Sequence, residues 1–286
     1  MTPKEFARKI LPPAVVTALK RLRPTQEVWT PQQQLRASHE SRNEGLPGNE
    51  IAIRDGIVLK VTPDSREAFE HFCFRSPEMV DEMDSFLANV GDRQRFLDVG
   101  ALHGIFSLVF TANHLDRRAV AVDASPLAFS RLLLNTYANG LEERILNVEA
   151  ALSDRVGTLD MHFEWQHAVA GEPLGGETKT LAVEMTTGDE LCSGLDFKPD
   201  VVKVDVEGHE VQVLRGLVQT LERRRPLVFL EVHPIRITAN GSSLSDLTEL
   251  LTNLNYVAET STGDFVDLDV LMSAESDVRL LLRPSP

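Results

Sequence analysis

The chain has 286 residues, 42% of them apolar, and a formal net charge of −14. That length suits one large α/β domain with a short appendage, and the acidity argues against nucleic acid as a substrate, since phosphate binding needs clustered Lys and Arg. The two cysteines, Cys73 and Cys192, are isolated in sequence and have no metal-ligand spacing, which fits a reducing, cytoplasmic setting.

The first 23 residues carry six basic side chains (Lys4, Arg8, Lys9, Lys20, Arg21 and Arg23) against one acid, Glu5. Apolar residues from Phe6 to Leu22 interleave with them at roughly helical spacing, and Pro12-Pro13 interrupts any single helix and any secretory apolar core. This basic stretch is a candidate arm for peripheral membrane contact or a partner, with an ordinary peripheral helix as the plainer alternative. Residues 26–50 lack apolar periodicity and read as a linker. No apolar run approaches the ~20 residues needed to span a bilayer. Residues 51–61 read as a hairpin turning on Asp55-Gly56. Residues 76–90 read as a helix, with apolar positions at Met79, Met83, Phe86, Leu87 and Val90. The expected organisation is an arm and linker over 1–49 and a domain over 50–286, with a cap at 50–94 before a catalytic core at 95–286.

The core opens with a short buried strand, residues 95–100, closed by Gly100. Gly104 follows, and a helical run starts at Ile105. This is strand, glycine turn, helix: the first glycine permits the turn and the second lets the helix start close to a ligand. The spacing Gly-x-x-x-Gly departs from the dinucleotide fingerprint Gly-x-Gly-x-x-Gly, which weakens a nicotinamide-cofactor reading. A second strand, 118–123, ends in Asp123. An acid about 20 residues beyond such a turn can bind both hydroxyls of a ribose; Ser125-Pro126 behind it also fits a plain helix cap. A helix over 126–139, a strand over 145–150, paired strands at 157–163 and 181–185 around a glycine-rich candidate lid at 170–176, and a strand over 201–205 follow. A helix is expected over 211–221, a strand over 227–232, a helix over 244–254, and strands at 256–259 and 278–282. The alternation indicates an α/β, mostly parallel sheet.

The densest polar cluster is the turn at residues 203–210, Lys-Val-Asp-Val-Glu-Gly-His-Glu. Ligands of open α/β sheets bind at the carboxyl ends of the strands. Helix-dipole complementarity accounts for carboxylates at a helix start, but not for Lys203 or Asp205 within the strand.

Together these blocks resemble the FkbM-type family of S-adenosylmethionine-dependent methyltransferases. The resemblance rests on residues 96–101 with Gly104 and Ser107, 122–126, Asn135 with Asn139-Gly140, 147–154, 187–191, 203–210 with 214–216, and 231–233. It covers about half the chain, and the Lys-x-Asp-x-Glu-Gly-x-Glu segment is its most specific part. Asp123-Ala124-Ser125-Pro126 departs from the more usual Glu-Pro, and Asp can still reach a ribose. The resemblance implies a Rossmann-like class I methyltransferase fold, a seven-stranded mostly parallel sheet with one antiparallel strand and helices on both faces, behind an N-terminal extension. It implies S-adenosylmethionine as cofactor, with Asp98, Gly100, Gly104, Asp123, Glu149 and Ala150 as its candidate contacts, the last two near the adenine.

The expected reaction is O-methylation of a hydroxyl on a small molecule or glycan. Methyl transfer from a sulfonium is an in-line displacement, so the protein must align the acceptor and manage a proton. Asp205, Glu207, Glu231 and His233 are the catalytic candidates. Asp205 is placed nearest the methyl group, and His233 is favoured as base for its ordinary pKa of ~6.5. The same four side chains are an alternative set for a divalent cation such as Mg²⁺. Lys203 is expected to pair with an acid, because a lone buried ammonium is costly. His103 either contacts the methionine end of the cofactor or faces solvent; His162, Trp165 and His167 fall on or near the candidate lid. Competing functions are an NAD-dependent Rossmann oxidoreductase and a non-catalytic cofactor-binding module.

Overall fold

A computed structural model describes residues 50–54, 56–164, 167–170 and 179–285. The basic arm, the linker, Trp165 and residues 171–176 of the candidate lid lie outside the described residues. Strands β1 (Glu50–Ala52) and β2 (Val58–Lys60) form the expected antiparallel hairpin. Helix α1 (Pro63–Glu70) runs into a π-helical turn, His71–Arg75, and then into α2 (Pro77–Val90). Only α2 was legible. The α1 segment is short and mostly polar, and it is held by the few side chains it buries, among them Phe69 and Cys73.

The core alternates β3 (Arg95–Val99), α3 (Ile105–Thr111), β4 (Arg118–Asp123), α4 (Pro126–Ala138) and β5 (Ile145–Glu149). A four-stranded insertion follows: β6 (Ala151–Leu152), β7 (Gly157–Glu164), β8 (His167–Ala170) and β9 (Lys179–Thr186). Then come α5 (Gly188–Leu195), β10 (Val201–Val204), α6 (Glu210–Arg215), α7 (Val218–Arg224) and β11 (Leu227–Val232). The chain continues through α8 (Pro234–Ala239), α9 (Leu244–Asn253), β12 (Tyr256–Thr260), β13 (Phe265–Val266), α10 (Leu268–Leu271) and β14 (Val278–Pro284).

The main sheet has the order β13-β12-β14-β11-β10-β3-β4-β5. The run from β5 to β11 is parallel, and β14 lies antiparallel between β11 and β12. This is the seven-stranded sheet with one antiparallel strand, and the two-residue β13 adds an eighth at the edge. The strands over 157–164 and 179–186 pair as expected but belong to a separate sheet, β6-β9-β7-β8.

Parallel strands are covered on both faces, so they read as continuous apolar runs. Leu97, Val99, Val120, Val202 and Val204 join one core cluster, and Phe96, Ala119, Val201 and Phe229 join the other. Phe86 of α2 anchors the second face, with ring centroids 5.2, 5.1 and 5.1 Å from Phe96, Phe106 and Phe229. The expected helix over 211–221 is broken between α6 and α7. A Cβ at Gly216 would stand 1.9 Å from the Ser153 carbonyl oxygen, so another backbone crosses there. Among the described residues no helix is long and apolar enough to cross a membrane.

Candidate active site

The carboxyl ends of β3, β4, β5, β10 and β11 open onto one cavity, walled by α1, the start of α2 and the four-stranded sheet. With the solvent at its mouth it holds about 1100 Å³ of open space. Pockets for small molecules and cofactors run to ~300–1,000 Å³, so the space suits a cofactor with an acceptor beside it.

One side is the glycine turn. Gly100 has φ +80°, and a Cβ there would lie 1.7 Å from the Asp205 carbonyl oxygen. Glycine is thus required both by the left-handed backbone and by the approach of the β10 turn. Gly104 has φ +84° and caps α3. A Cβ there would meet the movable end of the Leu132 side chain, Cδ1 at 2.4 Å, so the left-handed backbone is the firmer demand for glycine. Gly104 starts α3 and does not itself line the cavity.

Asp123 lines the cavity, and its carboxylate accepts hydrogen bonds from the Leu102 N–H at 2.7 Å and the Ser125 N–H at 2.8 Å. The α4 cap is Ser125, whose Oγ accepts from the Ala128 N–H at 3.3 Å. Asp123 therefore ties the two cavity-forming turns together. Asp98, 1% exposed, accepts from Ser107 Oγ at 2.7 Å, and burial pushes its carboxyl up to about 6. His103 is buried and lines the cavity, so the solvent-facing alternative is excluded. Ala150 lines it too, whereas Glu149 beside it does not.

The other side is the charged turn. Lys203 is buried, with Nζ 2.9 Å from Asp205 Oδ2 and 3.2 Å from Glu82 Oε1, and it sits 4.8 Å from the Phe106 ring centroid. Arg279 of β14 reaches Glu82 at 3.2 Å and also bonds Glu231. Glu207 has φ +52° and pairs with Arg236 at 3.1 Å. His233 Nδ1 lies 2.7 Å from Glu210 Oε1, which also accepts from the Gly208 N–H at 2.8 Å. Its Nε2 is 3.7 Å from Glu207 and 3.8 Å from Glu231.

This arrangement separates the charges. Burial alone would raise Asp205, but Lys203 and then His233 more than offset it and hold the carboxyl below its ordinary range. Burial and the neighbouring Asp205 charge raise Glu231, against the pull of Lys203 and Arg279. Burial would lower His233, yet the bond to Glu210 and the charges of Glu210, Asp205 and Glu207 lift it to about 9. His233 is thus imidazolium at neutral pH, and the argument for it as a base, which assumed the ordinary pKa, does not hold. Asp205, Glu207 and Glu231 line the cavity; His233 stands behind them. Asp205, Glu231 and His233 offer ligand atoms within 4.8 Å of one another.

Sequence reasoning missed four contributors. Phe72 of the π-helical turn and Met79 of α2 wall the cavity, and Glu82 and Arg279 complete the ion pairs behind it. Glu82 carried a signal: it lies on the same α2 stripe as Met79, Met83 and Phe86, where an acid needs a buried cation. His209 also lines the cavity, with Nε2 2.9 Å from Ser153 Oγ. His162 is partly buried on β7, its Nδ1 3.2 Å from Thr180 Oγ1, and does not line the cavity.

Known proteins resemble this chain in the same region. The methyltransferase FkbM domain matches residues 98–258. Hexuronic acid methyltransferase AglP of Haloferax volcanii is 30% identical over 164 residues, covering 57% of this chain and 63% of that protein. Methyltransferase sdnD of Sordaria araneosa is 26% identical over 163 residues, covering 46% of this chain and 63% of that protein. The chain thus spans about 63% of the length of these curated relatives. Among solved structures, methyltransferase FkbM of Methylobacillus flagellatus matches with a TM-score of 0.44 at 15% identity, over 98% of this chain and 57% of that one. Because the matched segment takes in more than half of the 286 residues, the chain belongs to the FkbM methyltransferase domain family.

Proposed function

We propose that this protein transfers a methyl group from S-adenosylmethionine to a hydroxyl oxygen of a small molecule or glycan. The observation that carries this reading is one cavity that brings together the Gly100 turn, Asp123 and Ala150 on one side and Asp205, Glu207 and Glu231 on the other. The residues fit the cofactor. A ribose diol needs a carboxylate at the end of the second strand, and Asp123 is there. A compact turn free of side-chain bulk is needed beside it, and Gly100 supplies that. The cofactor would supply an electrophilic methyl carbon: its C–S bond breaks as the C–O bond forms, and the electron pair stays on sulfur.

The chain's own residues position and deprotonate. Asp205, kept ionised by Lys203, accepts the hydrogen bond of the acceptor hydroxyl and aims the oxygen lone pair. The hydroxyl proton passes to the Glu207 carboxylate as the bond forms. His233 and Lys203 act as positioning cations behind these acids.

The donor set does not suit Mg²⁺. Lys203 already pairs with Asp205, and Arg279 bonds Glu231. Hard cations need several free oxygen donors. The reaction is therefore proposed to be metal-independent. The cap at 50–94 and the core at 95–286 are proposed to work as one unit, because Glu82 of the cap reaches Lys203 of the core. Peripheral membrane contact through residues 1–23 is the proposed role of the arm, tested by flotation with anionic liposomes.

The direct test is a methyl-transfer screen over hydroxylated metabolites and sugars, read by mass spectrometry with and without EDTA. A methylated product that persists in EDTA supports the proposal. Activity lost to EDTA and restored by Mg²⁺ would overturn the metal-free mechanism, and exclusive N- or C-methylation would overturn the acceptor class.

A further inference from the structure

The charged turn presents its acids to the cavity and keeps its cations behind them. Among the described residues that line this side, the ionisable groups are Lys203, Asp205, Glu207, His209 and Glu231. The side chains of Asp205 and Glu207 are 20% and 22% exposed, whereas Lys203 is 3% exposed. The Lys203 ammonium is taken up by Asp205 and Glu82. Arg279 bonds Glu231 and Glu82, Arg236 pairs with Glu207, and His233 bonds Glu210. Arg279, Arg236 and His233 do not line the cavity. Burial lowers His209 to about 4, so its ring is neutral at pH 7.

The wall that faces these acids is apolar. Phe72 and Met79 line it, and Phe72 stands edge-on to Phe106 with ring centroids 6.5 Å apart. Residues 171–178, between Ala170 and Lys179, contain Glu172 and Glu177 and no Lys or Arg. A negatively charged ligand would therefore meet two accessible carboxylates and no accessible cation. Its charge would leave water without a partner, which is costly, and like charges at close range repel strongly where the dielectric is low. A neutral hydroxyl compound has the opposite fit. Its O–H donates to a carboxylate, and its carbon face lies on Phe72 and Met79, as ligand pockets pair a few polar groups with apolar walls.

From this charge layout we infer that the methyl acceptor bears no acid group beside its reacting hydroxyl: the site takes a neutral sugar or polyol and turns away uronic acids and sugar phosphates. The inference rests on the proposed methyl transfer to a hydroxyl and narrows that acceptor to one charge class. An acidic acceptor needs a cation at the wall, and here Lys203, Arg236 and Arg279 already serve acids of the chain itself. Discrimination of this kind works by repulsion, since like charges brought together suppress the wrong partner. The relative from Haloferax volcanii is named for a hexuronic acid acceptor, and this chain is expected to differ from it on that point.

The test reads the sign of the field at the acceptor face with ligands of known structure. Wild type, Glu207→Gln and Asp205→Asn are titrated calorimetrically with S-adenosylhomocysteine and with sinefungin, an analogue in which an amine-bearing carbon replaces the methylated sulfur. Wild type is expected to bind sinefungin roughly 10- to 100-fold more tightly than S-adenosylhomocysteine, the gain from hydrogen bonds to charged groups. That advantage is expected to shrink by about threefold or more in each variant, judged against the variant's own S-adenosylhomocysteine affinity. A methyl-transfer screen in matched pairs, D-glucose with D-glucuronate and glycerol with glycerol 3-phosphate, is expected to give products from the neutral members alone. Sinefungin that binds no better than S-adenosylhomocysteine, an advantage unchanged in both variants, or preferred methylation of an acidic member would each overturn the inference. Wild type that binds neither ligand would instead overturn the cofactor reading on which it rests.

Discussion

Replacing Lys203 with Met tests how the charged turn is held. The ammonium is the shared partner of Asp205 at 2.9 Å and Glu82 at 3.2 Å, and its side chain is 3% exposed. Met fills a similar volume beside Phe106 but leaves the buried Glu82 and the cavity-lining Asp205 without their shared cation. Breaking a buried ion pair by removing one partner costs ~3–5 kcal/mol. Arg279 still pairs with Glu82, so the lower half of that range is expected. In a domain of this size, ~1 kcal/mol moves Tm by roughly 2–4 °C, which gives a drop of about 6–16 °C.

The loss should also depend on pH. In wild type the folded Asp205 titrates below its unfolded value, so its contribution is present above ~4 and is lost only as pH falls through about 2. Without Lys203, burial dominates and raises Asp205. The variant then regains stability as pH falls from 7 toward 5 and the carboxyl takes a proton. Thermal unfolding at several pH values, with Glu82→Gln and the double variant completing the cycle, isolates the pair. A Tm drop under about 2 °C, or a gap to wild type that ignores pH, would refute the assignment of Lys203 as the counter-ion of the turn.

Further predictions follow from other contacts. Gly100→Ala places a Cβ 1.7 Å from the Asp205 carbonyl oxygen at φ +80°, so it should cost on the order of 3 kcal/mol or more and abolish S-adenosylhomocysteine binding; a stable variant with full affinity would show that the turn can open. His233 is raised in the fold to about 9, so its stabilising contribution is fully present below its unfolded pKa of ~6.5 and is lost as pH rises through about 9. Denaturant unfolding should therefore show the gap between wild type and His233→Gln shrinking from pH 6 to pH 9.5, and a constant gap would mean a neutral His233. Deleting residues 1–49 should leave S-adenosylhomocysteine affinity within about twofold by calorimetry, whereas a folded but non-binding truncation would show that the arm completes the cavity.

The parallel core was legible because buried strands such as residues 119–122 and 227–230 carry uninterrupted apolar runs, and because Gly100 and Asp123 punctuate strand ends. The charged turn was legible for the opposite reason: Lys203 and Asp205 are out of place in a buried strand. What escaped depends on contacts distant in sequence. Glu82 and Arg279 meet across 197 positions, and no local pattern links them. Gly104 was read in a glycine turn and Gly216 inside a helix, yet a Cβ at the first would meet Leu132 and at the second the Ser153 backbone. The protonation of His233 depends on Glu210, Asp205 and Glu207 together, so its ordinary pKa misled. The short α1 and its π turn carried too few apolar residues to be seen before Phe69 and Phe72 found their partners.

The central claim is that the cavity at the strand ends holds S-adenosylmethionine through Asp123. Its most direct test is calorimetric titration of wild type and Asp123→Ala with S-adenosylhomocysteine and, separately, with NAD. Wild type should bind S-adenosylhomocysteine, and the variant should bind it roughly 10- to 100-fold more weakly, the cost of hydrogen bonds to a charged group. Tight binding of NAD with no binding of S-adenosylhomocysteine, or equal affinity in Asp123→Ala, would contradict the account.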